Sequence, residues 1–369
     1  MNRLFGKNTT RSLFIVKNLF LLLFTFSCFL FPFVAHGDDS GQIGKKDIDQ
    51  GKKDDSTGVG FTVEPVLTQT QVDPSKGYFF IQVEPEQSQT LTFKVKSTIK
   101  EPRTVRISVK DAYTNQNGAI DYDGDNYKRD KTLVNSLEDL TAVSTKKVTV
   151  EKLETKEVSI DVQPPSESFE GVKMAAICAI SDETDSQKDK EGLSSIYGYR
   201  VGLVITEQKE IEIDNGASLN FLNVKPTVHH GKRVIQTTLQ NPEPKILKNL
   251  SVETKLRKKG TKEVLRKRTT NNMRVAPNSQ FDFATNWGLD PIEPGTYVLT
   301  VKADSGEKKW KWEKEFTIGE EEAKKINEQA TYTISYPSGV PIVVVLLGVA
   351  TLANIGSLYV RRKRWTQEQ

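Results

Sequence analysis

Gln89-Thr90-Leu91-Thr92-Phe93-Lys94-Val95 alternates polar and apolar side chains without a break. Successive side chains of an extended chain point to opposite faces, so this period of two marks a strand with Leu91, Phe93 and Val95 turned to a core. The same alternation recurs on both sides. It appears in Tyr78-Phe79-Phe80-Ile81-Gln82-Val83, at Val105, Ile107 and Val109, and at Val158, Ile160 and Val162. Turn clusters separate the runs at Asp73-Pro74-Ser75-Lys76-Gly77, Glu84-Pro85-Glu86 and Glu101-Pro102. Gly171 to Ile180 and Ile196 to Thr206 are longer and more apolar, as central strands are, with the polar tract Ser181 to Gly192 as a loop between them. Short strands punctuated this way predict an antiparallel sandwich over residues 61–210.

A second module is expected over 216–318, after Asp214-Asn215-Gly216. Its strands are marked by Leu219, Phe221 and Val224; by Val234, Ile235 and Leu239; by Leu250, Val252 and Leu256; and by Val264 and Leu265. Phe281 and Phe283, then Tyr297, Leu299 and Val301, then Trp310, Trp312, Phe316 and Ile318 complete about eight strands. Pro291-Ile292-Glu293-Pro294-Gly295-Thr296-Tyr297 is a turn leading into one of them. The predicted fold class is all-β: two immunoglobulin-like antiparallel β-sandwich domains, plus one C-terminal transmembrane helix. Residues 319–338, with helix-forming Glu, Ala and Lys at Glu320 to Ala330, are expected to be a stalk leading to Tyr336-Pro337.

That transmembrane helix is expected over 339–360. Pro341 to Ala350 is apolar throughout, and Leu352, Ile355 and Leu358 continue the run to Tyr359 without a charge. A bilayer core of about 30 Å takes about 20 such residues. Arg361-Arg362-Lys363-Arg364 follows directly, which assigns the tail 361–369 to the cytoplasm and the rest of the chain to the outside; Tyr336 and Tyr359 suit the two interfaces. A buried core helix is the alternative, but such helices seldom run this long without a charge. At the other end, Arg3, Lys7, Arg11 and Lys17 precede an apolar run from Leu19 to Val34 and the small-residue site Ala35-His36-Gly37. Residues 1–37 read as a cleavable secretory signal, with an uncleaved first span as the alternative. Phe26-Ser27 before Cys28 is not a lipoprotein box. Residues 38–60, rich in Gly, Lys and Asp, read as a disordered leader.

The chain holds 52 Lys and Arg against 48 Asp and Glu. Without the signal and tail, 44 basic and 47 acidic residues remain, a net charge of −3, so the basicity belongs to the topology signals and gives no argument for nucleic acid. Residues 38–215 carry −10 and residues 216–330 carry +7, which marks two unlike modules. With the signal removed only Cys178 remains, so no intrachain disulfide is possible. A disulfide-free secreted chain fits a Gram-positive bacterium better than an animal cell surface.

Phe61-Thr62-Val63-Glu64-Pro65, Lys76-Gly77-Tyr78-Phe79, Gln89 to Val95 and Asp111-Ala112-Tyr113-Thr114-Asn115-Gln116-Asn117-Gly118-Ala119-Ile120-Asp121-Tyr122 resemble the N-terminal domain of bacterial WxL-interacting proteins. Leu222-Asn223-Val224-Lys225-Pro226, Asn241-Pro242 and Pro294-Gly295-Thr296-Tyr297 are similar to that family's C-terminal domain. Signal, module order, anchor and short basic tail match as well, so the resemblance spans nearly the whole chain as an arrangement more than through one motif. It implies a membrane-anchored surface protein whose first domain binds peptidoglycan and whose second binds host surface proteins, with WxL-type surface proteins as partners. The polar leader departs from the family's pattern.

Catalytic and cofactor chemistry is not expected. The histidines of the mature chain are the adjacent pair His229-His230 beside a predicted turn at Gly231; neighbours on a strand point to opposite faces, and no cysteine ligand accompanies them. No nucleophile elbow, Walker loop or metalloprotease helix occurs. Asp121-Tyr122-Asp123-Gly124-Asp125 has its glycine in the fourth place and no closing Glu, which excludes an EF-hand and leaves an acidic solvated turn or an irregular calcium loop. Cys178 reads as a core residue.

Two features are candidates for binding. Lys255, Arg257, Lys258, Lys259 and Lys262, with Arg266, Lys267 and Arg268 on the return, place eight cations on one hairpin with Glu263 as its only acid. Such a patch attracts a polyanion, for example wall teichoic acid; a charge-blunted edge hairpin is the structural alternative. Tyr113, Tyr122 and Tyr127 flank a loop holding Asn115 and Asn117, where exposed rings would stack on sugars, or alternatively serve core and turn. The expected function is a non-enzymatic adhesion or scaffold protein that tethers peptidoglycan and protein partners. The alternative is a receptor or assembly factor for secreted surface proteins without wall binding of its own.

Overall fold

A computed structural model describes residues 59–122, 127–182, 197–332 and 340–367. The signal, the leader up to Gly58, Asp123 to Asp125 of the acidic loop, most of the 181–192 tract and the Tyr336-Pro337 end of the expected stalk lie outside the described residues.

The first sandwich consists of β1 (Phe61–Val66), β2 (Phe79–Gln82), β3 (Gln89–Ser97), β4 (Arg103–Asp111), β5 (Tyr113–Thr114), β6 (Ile120–Asp121), the short helix α1 (Leu137–Leu140), β7 (Thr141–Val143), β8 (Lys147–Val150), β9 (Thr155–Val162), β10 (Lys173–Ser181) and β11 (Gly198–Thr206). One sheet runs β1-β3-β9-β7 and faces a second, β2-β11-β10-β4-β8. Leu91, Phe93 and Val95 are fully buried between them, Leu91 opposite Ile160 and Phe93 opposite Val158 on the neighbouring strand. The alternation thus delivers cross-strand apolar pairs to the core, the units that stabilise a sheet. β10 is buried on both faces, Ala175, Ile177 and Ala179 inward and Ala176 and Cys178 outward, which explains its unbroken apolar run. On the outward side of its sheet lies a second apolar cluster of Phe80, Val172 and Val204, packed by Tyr78, Met174, Ile211 and Ile213. One pairing departs from the expected antiparallel pattern: β2 runs parallel to β11, Phe79 beside Leu203.

The second sandwich has seven strands: β12 (Asn220–His229), β13 (Lys232–Asn241), β14 (Leu247–Lys258), β15 (Arg266–Val275), β16 (Ser279–Asn286), β17 (Gly295–Asp304) and β18 (Lys309–Ile318). Its sheets are β12-β13-β16 and β15-β14-β17-β18. Ile235, Leu250, Val252, Phe283, Leu299 and Val301 fill the core. Val264 and Leu265, expected within a strand, precede β15, and Val264 is exposed. The β12–β13 hairpin turns on His230 and Gly231, both at positive φ (46° and 73°), with His229 paired to Lys232. Positive φ at both central positions is the twist that a two-residue hairpin requires.

Helix α2 (Glu320–Gln329) opens with Glu320, Glu321 and Glu322, acids that complement its N-terminal dipole. It buries Ala323 and Ile326 against the second core, and Asn327 exchanges hydrogen bonds with the backbone of Ile292. The region expected as a stalk is therefore docked on the sandwich as far as Tyr332, whose amide bonds to the Gly231 carbonyl. Helix α3 (Val340–Gln367) contains a 23-residue candidate membrane span, Ile342–Arg364, apolar as far as Val360 and closed by four cations, which is long and apolar enough to cross a membrane. That span is buried nowhere in the described fold, unlike a core helix. The helix continues through Arg361 to Gln367 rather than ending at Val360.

Candidate functional site at the junction of the two sandwiches

The Tyr113–Tyr122 stretch forms the β5–β6 hairpin, which leaves the first sandwich and docks on the second. Tyr113 pairs with Asp121 and Thr114 with Ile120. The turn is built by Asn115, whose Oδ1 accepts from the amides of Asn117 (3.0 Å) and Ala119 (3.1 Å). Asn115 is thus committed to its own turn, as Asx side chains in tight loops are, and Asn117 lies exposed at the tip. Gly118 adopts φ +74°, and a Cβ there would fall 2.3 Å from the Met273 side chain, so the position requires glycine both for conformation and for close approach.

Hydrogen bonds hold the hairpin down. Thr114 Oγ1 lies 2.7 Å from Ser279 Oγ and accepts from the Ala276 amide, and the Arg274 amide donates to the Gly118 carbonyl. Beside it, Gln240 Nε2 donates to both carboxylate oxygens of the buried Asp130 at 2.9 Å. Gln116 Nε2 and His229 Nε2 are 2.8 Å apart. Their partners lie 110 or more positions away along the chain, so the contacts carry no local sequence signature.

This docking divides the three tyrosines. Tyr113 and Tyr127 stack at 4.8 Å between ring centroids and 16° between planes, on one side of the hairpin. Tyr127 is steadied by Asp111, which also accepts from Arg129 and from the Glu138 amide; burial raises the Asp111 carboxyl above its ordinary range despite those bonds. Tyr122 faces away into a separate cavity of about 490 Å³ with Tyr78, Met174 and Arg274, where burial raises its hydroxyl pKa.

The Tyr113–Tyr127 pair forms a wall of a cleft of about 790 Å³ whose floor is the outer face of β12, β13 and β16. Asn223 and Lys225 project there from β12, Gln236 and Thr238 from β13, and Gln280 and Asp282 from β16. Sequence reasoning missed all six, because alternating polar residues on a strand read simply as its solvent face. His229 and His230 stand at the same cleft with rings in edge contact at 3.9 Å. The expectation that they point apart is corrected: His230 occupies the hairpin turn, not a strand. Burial and then the neighbouring His230 hold the His229 pKa below its ordinary value. Among the described residues no cluster of three or more His, Cys, Asp or Glu is placed to hold a metal ion.

The eight cations form the β14–β15 hairpin as expected, with Gly260 at φ +83° near its tip. Their charge is largely met by acids, Glu253 on β14 itself and others from outside the hairpin. Lys255 and Lys267 share Glu253 (2.8 and 2.6 Å), Arg257 pairs with Glu313 (2.9 Å), Lys259 with Glu315 (2.6 Å) and Arg266 with Asp290 (2.9 Å). Lys258 reaches Glu293 at 3.8 Å. Arg268 lies over the Phe283 ring at 4.1 Å and donates to the Ala284 carbonyl, and Lys262 has no ion pair among the described residues. The excess of cations seen in the sequence is a laddered salt-bridge face in the fold.

Against known families, residues 61–180 match the WxL Interacting Protein peptidoglycan binding domain and residues 188–328 the WxL Interacting Protein host binding domain. The chain belongs to the WxL-interacting protein family. The host-binding match of this WxL-interacting protein begins ahead of β11, a strand that pairs in the first sandwich. No curated protein matches it in sequence. Among solved structures, the Pseudomonas aeruginosa CupB2 chaperone is similar at 14% identity and TM-score 0.28, over 66% of this chain and 98% of that one. The E. coli chaperone DraB is similar at 14% identity and TM-score 0.27, over 70% and 94%. These likenesses concern fold alone.

Proposed function

We propose that this WxL-interacting protein is a non-enzymatic surface binding protein that tethers the cell membrane to peptidoglycan and to protein partners. The observation that carries the reading is an order: a peptidoglycan-binding family domain, a host-binding family domain, and then a 23-residue candidate membrane span, apolar up to Val360, that the rest of the described fold leaves uncovered. Exposed apolar surface of that extent needs a bilayer to cover it. Arg361, Arg362, Lys363 and Arg364 support an orientation with the helix C-terminus in the cytoplasm and both sandwiches outside. Peptidoglycan enters through the first domain, and WxL-type or host surface proteins through the second.

Anchoring restricts the chain to the membrane face of the wall, so each contact raises the effective concentration for the next without new interactions. The salt-bridged ladder on β14, β15, β17 and β18 favours a solubilising role for the basic hairpin over polyanion capture, because its charges are offset within the domain. Co-sedimentation of the detergent-solubilised full chain with purified insoluble peptidoglycan tests the wall contact. Retention in the pellet at near-physiological salt is expected. A chain that stays in the supernatant at every salt concentration favours instead an assembly factor that presents secreted partners without touching the wall.

A further inference from the structure

The cleft between the β5–β6 hairpin and the β12–β13–β16 sheet has the chemistry of a saccharide site. Its floor offers an amide, a hydroxyl and a carboxylate on adjoining strands: Asn223 opposite Thr238, and Thr238 opposite Asp282. Thr238 Oγ1 donates to Asp282 Oδ1 at 2.7 Å, which fixes that pair. The side chains of Asn223 and Lys225, which are exposed, and of Gln236, which is half-buried, line this open cleft and have no hydrogen-bond or ion-pair partner among the described residues. An amide both donates and accepts, so unpaired amides on a cleft floor suit a ligand carrying hydroxyl and acetamido groups at fixed spacing. The wall supplies the complementary surface, because the stacked Tyr113–Tyr127 pair gives apolar ring area for the C–H face of a pyranose.

Charge and size point the same way. Asp282 faces Lys225 and Lys128, too few cations to hold a polyanion, and Leu222 is the one exposed apolar side chain of the lining, too little to anchor a hydrophobic peptide. The volume, about 790 Å³, is that of a site for a short oligosaccharide.

We propose that this cleft binds a neutral glycan of β-1,4-linked N-acetyl sugars, and that the site is composite, with the tyrosine wall from the first domain and the polar floor from the second. The proposal rests on the wall-binding reading and sharpens it: the peptidoglycan-binding family match ends at residue 180, whereas the floor lies at 223–282.

The test uses the full chain in detergent with two probes, soluble β-1,4-linked N-acetylglucosamine hexamer by calorimetric titration and purified insoluble peptidoglycan by sedimentation. Asn223→Ala and Gln236→Ala remove unpaired side chains and leave the fold intact. Tyr127→Ala removes the wall, and Tyr127→Phe keeps the ring while deleting its bond to Asp111. Each floor variant is expected to weaken both probes about fivefold, the loss of one net hydrogen bond, with Tyr127→Ala weaker still and Tyr127→Phe near wild type. If the wild type binds peptidoglycan and the floor variants bind it equally well, the cleft is overturned while the wall-binding reading stands. If the wild type binds the hexamer through these residues but ignores peptidoglycan, the cleft stands and the wall reading falls. If the wild type binds neither probe, both fall.

Discussion

Gly118→Ala strikes the joint on which the two-domain arrangement depends. The added Cβ must adopt φ +74°, where an L-residue is strained by about 1–2 kcal/mol. It would also fall 2.3 Å from Met273 Cε, 2.5 Å from Cγ and 2.7 Å from Cβ. The first two atoms can swing away only into a full core, since Met273 is 1% exposed, and the third moves only with the backbone of β15. Relieving such overpacking costs a further 1–3 kcal/mol or so, giving about 2–5 kcal/mol in all. The strain should act first on the bond from the Arg274 amide to the Gly118 carbonyl. Urea unfolding of the full chain should show a lower midpoint for the sandwiches, and amide hydrogen exchange should show lost protection at Arg274. In a Met273→Ala background the overlaps with Cε and Cγ disappear while that with Cβ stays, so the double variant should be less destabilised than the sum of the singles. A Gly118→Ala chain within about 0.5 kcal/mol of wild type, with Arg274 still protected, would refute the close docking of the hairpin.

Gln240→Ala should cost about 1–3 kcal/mol in urea unfolding, because it strips two bonds from the buried carboxylate of Asp130; an unchanged midpoint would show that water replaces them. Glu253, bonded to Lys255 and then Lys267, is held down to about 2 from an ordinary 4.5, so the bond is present above the ordinary value and lost as pH falls towards 2. Its carboxyl resonance should titrate near that low value and move up in Lys267→Met, and a midpoint at the ordinary value would contradict the shared ion pair. For His229 the folded pKa lies below the ordinary 6.5, so its contribution to stability is full above that pH and declines as pH falls below it. His229→Gln should therefore flatten the loss of stability between about pH 7 and 5, measured by thermal unfolding, and an identical slope would remove His229 from the junction's acid response.

The residues that sequence periodicity placed well are those whose environment repeats along the strand. Leu91, Phe93 and Val95 alternate because one face of β3 meets a core, and the unbroken run of β10 follows from burial on both faces. The C-terminal apolar span was equally legible, because length without charge is a property of the segment alone. What escaped were relations between distant segments. Eight cations within fourteen residues suggested a basic patch, but Glu313 and Glu315 arrive from β18 and Asp290 from the loop before β17. The three tyrosines flank one loop in sequence, yet the docked hairpin sends Tyr122 to the opposite side from Tyr113 and Tyr127. The docking of the expected helix was hidden for a similar reason: Glu-, Ala- and Lys-rich composition specifies a helix, but the sequence spacing of Ala323 and Ile326 does not name the sandwich surface that receives them. The cleft floor was invisible because a polar strand face that floors a cleft and one that floors none have the same sequence.

In the proposed function one chain holds membrane and wall together. Dye-filled vesicles carrying the reconstituted full chain, mixed with purified insoluble peptidoglycan and spun at low speed, test it directly. The dye should pellet with the peptidoglycan and be released to the supernatant when protease removes the sandwiches from the vesicle surface. Vesicles that remain in the supernatant, although they carry the chain with its sandwiches exposed to added protease, would contradict it.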